Sequence, residues 1–160
     1  MGGVSEFGTC HADGGDYVVE ALADADRRAV ARLYYEVRVA TMTWLDPSTF
    51  GENDFALHSA GEEVLVAKSD DGSVLGFVSV WRADEFIHML YVRQSSQGSG
   101  VGARLLQALP GWPGRRYRLK CLVRNTRASA FYARHGFRVT GHGVSDEGDY
   151  EEMTFAGPRN

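Results

Sequence analysis

The chain has 160 residues, of which 44% are hydrophobic and 24% charged, and this size and composition fit one compact folded domain. No run free of Asp, Glu, Lys and Arg exceeds ten residues, which excludes a membrane-spanning helix. Cys10 lies in a Gly-rich tail and Cys121 in an apolar strand pattern, so a disulfide framework is excluded as well. No charged segment followed by an apolar stretch opens the chain, and we therefore expect a cytoplasmic protein.

The net charge of −4 conceals a strong asymmetry along the chain. Residues 98–140 contain nine Arg or Lys and no Asp or Glu, whereas the rest holds eight basic and all 21 acidic residues. The basic segment predicts either a solvated face or a site for an anionic ligand. The acidic remainder argues against binding to nucleic acid.

The first 16 residues include five glycines and show almost no apolar periodicity, so we expect a disordered tail or an expression remnant there. The domain is expected to span residues 17–160. A strand is predicted over 17–22, and a helix follows Asp24 because Val30, Leu33, Tyr34 and Val37 have helical spacing. Asp46 and Pro47 then cap a second, broken helical stretch that reaches about Ser59.

The middle of the chain predicts the centre of a sheet. Residues 63–68 and 74–81 are rich in valine and flank a Ser-Asp-Asp-Gly turn, which is typical of an antiparallel hairpin. Residues 85–92 are apolar at both odd and even positions, which indicates a central strand covered on both faces.

The remaining elements follow from periodicity and from helix-stop residues. We predict a helix after the Gly-rich turn at 98–102, a strand over 117–123, a helix over 126–135 and two closing strands over 137–142 and 150–155. The resulting fold class is α/β, with a mixed, mostly antiparallel central sheet of about six to seven strands and helices on both faces.

The glycine turn is typical of a phosphate site. Gly98, Gly100 and Gly102 follow a buried strand and open a helix, so the backbone can approach a pyrophosphate closely and present several N–H groups to it. A dinucleotide site is disfavoured, because no acidic residue follows within 40 positions to hold a ribose. A P-loop is excluded, since Ala103 and Arg104 stand where Lys and Ser or Thr are required.

Two motifs together carry a family resemblance. Leu90-Tyr91-Val92 is followed by Gln97-x-x-Gly100-x-Gly102, and later by Asn125-x-x-Ala128-x-x-Phe131-Tyr132-x-x-x-Gly136-Phe137. This pattern resembles the signature of the GNAT superfamily of acyl-CoA-dependent N-acetyltransferases, and the element order over residues 17–156 is similar to that fold. The resemblance covers nearly the whole chain.

The resemblance implies a site for acetyl-CoA as the cosubstrate. No metal is expected, because no set of His, Cys, Asp and Glu residues has the spacing of metal ligands. It assigns the pantetheine arm to the backbone of the central strand and the pyrophosphate to the glycine turn. It also implies that the Asn125 side chain meets the cosubstrate, although a plain helix N-cap explains this residue equally well. The implied binding residues are Leu90, Tyr91, Val92, Gln97, Gly98, Ser99, Gly100, Val101, Gly102, Ala103 and Asn125.

Acetyl transfer from a thioester to an amine needs a proton donor for the departing sulfur and an acceptor for the amine proton. The resemblance implies that Tyr132 is the general acid, and a core aromatic residue is the competing interpretation. His88 is the candidate base, because it is expected to share an apolar strand face with Leu90 and Val92 that keeps the imidazole neutral. A bonded core histidine is the alternative, and Glu85 is the reserve candidate.

The predicted activity is N-acetyl transfer from acetyl-CoA to a primary amine, by direct transfer in a ternary complex. A catalytically silent acyl-CoA sensor or regulatory subunit is the alternative. The expected partners are a small-molecule or peptide amine, with no nucleic acid and no membrane, and self-association into a homodimer stays open. The arginines that meet the 3′-phosphate, the identity of the acceptor and the length of the acyl chain also stay open.

Overall fold

A computed structural model of the protein describes residues 9–12 and 15–157. The strands are β1 Thr9–Ala12, β2 Gly15–Ala21, β3 Glu63–Ser69, β4 Val74–Trp81, β5 Phe86–Val92, β6 Arg118–Leu122, β7 Phe137–Ser145 and β8 Gly148–Phe155. The helices are α1 Arg27–Thr41, α2 Asp54–His58, α3 Val101–Gln107 and α4 Thr126–Arg134. No helix of this described part is long and apolar enough to cross a bilayer.

The strands form one sheet in the order β1-β2-β3-β4-β5-β6-β8-β7. All neighbours are antiparallel except β5 and β6, which confirms the mixed, mostly antiparallel sheet. The sheet has eight strands rather than six or seven, because Thr9–Ala12 pairs with β2 inside the segment expected to be a tail. This strand pairs through its backbone, and its sequence shows no apolar alternation that would have predicted it. Gly15 and Asp16 at the end of the same segment belong to β2, and residues 1–8 and 13–14 lie outside the described residues.

Helices cover both faces of the sheet, as the sequence predicts. On one face α3 and α4 pack Leu105, Leu106 and Tyr132 against a large apolar cluster that includes Ile87 and Leu119. On the other face α1 and α2 pack against a second cluster around Phe77 and Met89. Strand β5 lies between the two clusters, and its apolar sequence therefore reflects cover on both sides.

The first helical region follows its sequence signals only in part. The apolar stripe of α1 is buried at Val30, Leu33, Tyr34 and Val37, as its spacing predicts. The Asp46 side chain accepts a hydrogen bond from the Ser48 amide at 2.9 Å, but the cap starts only a three-residue 3-10 turn. Helix α2 is confined to Asp54–His58, so the predicted second helix is shorter than the stretch reaching Ser59.

Strands β5 and β6 are paired only at their beginnings. Phe86 lies opposite Arg118 and Ile87 opposite Leu119, and no further pairs follow. Beyond this point the sheet is split between the two parallel strands. The split leaves one backbone edge of β5 without a neighbouring strand.

A β-bulge at His88 changes which residues share a face. Ser79 pairs with Met89 and Val80 pairs with Ile87, so His88 has no residue opposite it on β4. An extra residue reverses the alternation of side chains. Leu90 and Val92 therefore pack on the α3 and α4 face, whereas His88 borders a groove on the face that carries α1 and α2. The predicted common face of His88, Leu90 and Val92 is wrong for this reason.

Candidate functional site

The split exposes backbone groups of β5 at the positions implied for the pantetheine arm. The Arg93 amide donates to the Leu75 carbonyl at 2.8 Å, which fixes the hydrogen-bonding phase of β5 against β4. Since backbone groups alternate in direction along a strand, those of Leu90 and Val92 point away from β4 and into the split. Tyr91 instead turns its backbone toward β4 and its ring into the aromatic cluster with Tyr34 and Phe77.

The Gln97 side chain is hydrogen-bonded to the end of β5 and does not project freely from the loop. Its side-chain amide donates to the Val92 carbonyl at 2.9 Å, and its backbone N–H donates to the Gln94 carbonyl at 3.3 Å. Gln97 therefore occupies the carbonyl of Val92, which is one of the two β5 residues whose backbone groups face the split. The Leu90 N–H and C=O and the Val92 N–H remain directed into the split.

The next six residues form the turn that opens α3. Gly98 and Gly100 adopt φ values of +84° and +90°, in the left-handed region that favours glycine, and a Cβ at either position would meet open space. Among the described residues, no oxygen accepts from the backbone amides of this turn. A row of unsatisfied N–H groups beside a helix start fits a pyrophosphate. The six residues are Gly98, Ser99, Gly100, Val101, Gly102 and Ala103.

Asn125 and Phe131 of the second motif cap α4 and pack it against the glycine turn. The Asn125 side-chain oxygen accepts from the Ala128 amide at 3.2 Å, so Asn125 is the N-cap of α4. Gly102 contacts this helix, because a Cβ at Gly102 would lie 3.1 Å from the Phe131 ring. The third glycine of the turn thus allows α3 and α4 to pack closely beside the split.

Tyr132 is buried on the α3 and α4 face, with 8% of its surface exposed. Its ring packs edge-on against Phe137, and no hydrogen bond contributes to the pKa shift of its hydroxyl. Burial raises the pKa of Tyr132, and interaction with Cys121 acts in the same direction. The phenol is therefore protonated at neutral pH and has its proton available for another partner.

Cys121 lies in the same environment and shows how burial changes the pKa of a thiol. It lies on β6, it is buried, and it belongs to the same apolar cluster as Tyr132. Burial raises the pKa of the Cys121 thiol to about 11. A neutral thiol is a poor nucleophile, so Cys121 is unsuited to a covalent mechanism.

His88 is neither enclosed nor surrounded by apolar groups, contrary to the sequence-based expectation. Its side chain is 39% exposed, and its Nδ1 lies 2.6 Å from the Glu62 Oε2 atom. The other Glu62 oxygen accepts from the Ser79 hydroxyl, and Ser79 is fully buried. Ser79 and Glu62 therefore hold the imidazole in one orientation and leave Nε2 as its remaining ring nitrogen.

The His88 ring borders an open groove of about 450 Å³ on the α1 and α2 face. The groove lies over the paired beginnings of β5 and β6, because Phe86 and Arg118, which are opposite each other, both line it. Lys120 and the exposed Trp81 complete its opposite walls. Glu85, the reserve base, is not among the lining residues and forms an ion pair with Arg115 at 2.9 Å.

A buried arginine on α1 pairs with carboxylates of α2 and of the β7–β8 turn. Arg38 is 4% exposed, lies over the Tyr34 and Phe50 rings at 4.3 and 4.5 Å, and pairs with Asp54 at 3.0 Å. Its second contact is the Glu147 carboxylate in the β7–β8 turn at 3.8 Å. The Trp44 indole N–H also donates to the Glu147 carbonyl at 2.9 Å. These contacts attach the β7–β8 hairpin to α1.

Sequence reasoning missed Glu62, Ser79 and Arg38. Two of them leave a signal, since Ser79 interrupts the valine-rich β4 and Arg38 lies on the apolar stripe of α1. A polar residue in such a position needs a partner when it is buried. Glu62 leaves no local signal, because its link to His88 spans 26 residues of sequence. No cluster of three or more metal-ligating side chains occurs in the part of the chain that the structure describes.

Comparison with known proteins agrees with this architecture. A family model for the acetyltransferase (GNAT) domain matches residues 60–139, half of the chain. The protein therefore belongs to the GNAT acetyltransferase family. No curated protein sequence matches the chain.

Solved structures with the same fold are numerous and distant in sequence. The chain is similar to YjaB from Escherichia coli, with a TM-score of 0.70, 20% identity, and coverage of 88% of this chain and 98% of that one. It is similar to a GCN5-related N-acetyltransferase from Kribbella flavida, with a TM-score of 0.65, 23% identity and coverage of 86% and 96%. A spermidine N-acetyltransferase from Vibrio cholerae, solved with CoA and spermine, gives a TM-score of 0.61, 18% identity and coverage of 86% and 94%.

Proposed function

We propose that the protein transfers an acetyl group from acetyl-CoA to the primary amine of an acceptor, by direct transfer within a complex of both substrates. The observation that carries this proposal is the split between β5 and β6. Tyr132 lies on one face of the sheet beside the split, and the Glu62–His88 pair lies on the other. The two substrates can therefore approach each other from opposite faces.

The chain's own residues fit the donor substrate, which supplies the activated acyl group as a thioester. The unsatisfied amides of residues 98–103 and the basic character of residues 98–140 suit the anionic pyrophosphate end. The free backbone groups of Leu90 and Val92 suit the amide-rich pantetheine arm. One of these N–H groups polarises the acyl carbonyl, as a preorganised donor does in other acyl transfers.

His88 is the proposed proton acceptor. Its Nε2 takes the proton that the amine loses as the new C–N bond forms, directly or through one water molecule. The carboxylate of Glu62 stabilises the imidazolium that results, and Ser79 keeps this carboxylate in place. Glu62 is therefore a positioning residue for the base.

Tyr132 is the proposed proton donor to the sulfur as the C–S bond breaks. An ordinary phenol is a weaker acid than an ordinary thiol, and burial raises the pKa of Tyr132 further. The buried Cys121 thiol also has its pKa raised, to about 11. A CoA thiolate that forms in a similarly buried position is therefore a stronger base than it is in water. Burial therefore shifts the pKa values of phenol and thiol in the same direction, and the phenol regains its proton from solvent after release of the products.

The test is thiol release from acetyl-CoA by the purified protein with a panel of primary amines, together with calorimetric titration of CoA. Stoichiometric formation of free thiol and N-acetylated amine is the expected result. Binding of CoA without thiol release across the panel would instead indicate a silent acyl-CoA sensor. The absence of heat on titration with CoA would remove the donor site altogether.

A further inference from the structure

The groove beside His88 has a defined arrangement of charge. His88 and Lys120 are the next residues after the last paired positions, Ile87 and Leu119, on neighbouring parallel strands. Both side chains line the groove, so they lie on the same face of the sheet at the point where the strands part. The Glu62 carboxylate lies on the β5 side of the groove, and the cations Arg118 and Lys120 lie on the β6 side.

The two cations differ in their partners. The Arg118 guanidinium lies 3.8 Å from the Glu152 carboxylate, and Glu152 is opposite Lys120 in the β6–β8 ladder. No carboxylate of the described residues lies within ion-pair distance of the Lys120 ammonium, which instead lies 4.9 Å from the centre of the Tyr150 ring. Lys120 therefore forms no ion pair of its own, and the carboxylate opposite it on β8, Glu152, pairs with Arg118. Asp84 is the remaining charged group of the lining, and it is exposed at the rim on the Trp81 side.

We propose that the acceptor is an amino acid with an apolar side chain, whose carboxylate pairs with Lys120 while its amine faces His88. This inference rests on the proposed function, because it names the acceptor of that reaction. The paired positions of β5 and β6 are about 4.8 Å apart, and His88 and Lys120 directly follow them, so the two side chains suit charges separated by only a few bonds. An α-amino acid carries its amine and its carboxylate at such a separation.

The rest of the groove suits an apolar substituent. Trp81 and Phe86 are a cross-strand pair on β4 and β5, and both line the groove. The Trp81 side chain is exposed at the rim, with 41% of its surface accessible, and it rests on Gly61. A polyamine is the contrasting acceptor, since its additional positive charges would meet Lys120 and Arg118 as well as the carboxylates of the lining.

The experiment compares acceptors that differ only in the carboxylate. The pairs are phenylalanine with phenethylamine, and leucine with 3-methylbutylamine, with spermidine as a polycation. The readout is kcat/KM from thiol release. Variants Lys120→Met and Lys120→Arg are compared with Arg124→Met, which removes an exposed cation of the same basic segment that does not line the groove.

We expect each amino acid to exceed its amine analogue by at least roughly tenfold, because hydrogen bonds to a charged partner contribute more than neutral ones. Lys120→Met removes this preference, whereas Lys120→Arg retains most of it and Arg124→Met leaves it unchanged. Equal kcat/KM values within each pair, a preference for spermidine, or an equal loss for every acceptor in Lys120→Met would overturn the inference.

A second readout does not depend on turnover. Titration of phenylalanine and phenethylamine is followed by tryptophan fluorescence with and without CoA, and Trp81→Phe identifies the reporting side chain. Saturable binding of phenylalanine that Lys120→Met weakens at least tenfold supports the acceptor class even if no thiol is released, in which case only the proposed activity fails. Thiol release without any preference for the carboxylate leaves the activity intact and overturns the acceptor class.

Discussion

The Glu62 carboxylate lies 2.6 Å from His88 Nδ1, on the side of the imidazole away from its remaining nitrogen. Glu62 is itself largely enclosed, with 9% of its side chain exposed, and the buried Ser79 hydroxyl donates to it. A charge held in this way lowers the free energy of the imidazolium without having to reorganise during the reaction.

Replacement of this charge tests its role. We expect Glu62→Gln to lower kcat by roughly ten- to a hundredfold, because the amide can still orient the imidazole but cannot stabilise its positive charge. The KM for acetyl-CoA should change little, and the pH profile of kcat should shift. The matched control is Glu63→Gln, since Glu63 is adjacent, exposed and paired only with Arg82 at 3.4 Å. Equal rates for the two variants at every pH would exclude a role for Glu62 beyond packing.

Tyr132→Phe tests the proton donor. Loss of one hydroxyl group should lower kcat by about a hundredfold while the Kd for CoA, measured by calorimetry, stays within a factor of two. Since burial raises the pKa of Tyr132, deprotonation of this phenol should not reduce the wild-type rate below about pH 10. An alkaline decline below that pH that disappears in Tyr132→Phe would contradict the assignment, and Tyr35→Phe on α1 is the control.

Gly100 and Gly72 have nearly the same backbone φ angle, so alanine variants at the two positions separate the effect of backbone strain from the effect on ligand binding. Gly100 has φ +90° in the α3 turn, Gly72 has φ +86° in the β3–β4 turn, and a Cβ at either would meet open space. Replacement by alanine should lower the free energy of unfolding by about 1–2 kcal/mol in both variants. Only Gly100→Ala should also weaken CoA binding, by roughly tenfold, because its Cβ enters the space in front of the free amides. If Gly72→Ala loses CoA affinity to the same extent, the turn is not the anion site.

The buried Arg38 predicts a large effect on stability. Its removal in Arg38→Met leaves the Asp54 and Glu147 carboxylates without their partner, so the free energy of unfolding in urea should fall by about 3 kcal/mol. Arg32→Met lies on the exposed side of the same helix, where Arg32 pairs with Glu36 at 3.3 Å, and should change it by less than about 0.5 kcal/mol. Similar losses in the two variants would show that Arg38 does not anchor the hairpin.

The same ion pair predicts a pH dependence of stability. Partial burial acts to raise the pKa of Asp54, but hydrogen bonds from the Gly51 amide and the Arg38 guanidinium outweigh it, and the pKa is lowered. A carboxyl group whose pKa is lower in the folded state contributes its full stability above about pH 4 and loses it as the pH falls through the folded-state value. The difference in unfolding free energy between wild type and Asp54→Asn should therefore be greatest between pH 5 and 7 and should shrink toward pH 3. A difference that grows on acidification would have the wrong sign.

Sequence patterns within short segments of the chain were sufficient to predict much of the fold. The valine-rich segments on either side of the Ser69–Gly72 turn form the hairpin, the stripe of α1 is buried as spaced, and the glycines at 98 and 100 adopt the positive φ angles that glycine favours. Each of these outcomes depends on residues within a few positions of one another. The resemblance to the family followed from the same local motifs, and the family model matches residues 60–139.

The amino-acid sequence by itself thus determined the order of the elements from β2 onward, the glycine turn, and the presence of Asn125 and Tyr132 in the second motif. Only the tertiary structure decided which face His88 occupies, because one unpaired residue in β5 inverts the alternation of every side chain after it. The pairing of Glu62 with His88 and the enclosure of Arg38 also depend on it, since each joins elements that are distant in the chain. Contacts of this kind arise from the registers of neighbouring strands and the packing of helices on them, and neither is encoded in a local pattern.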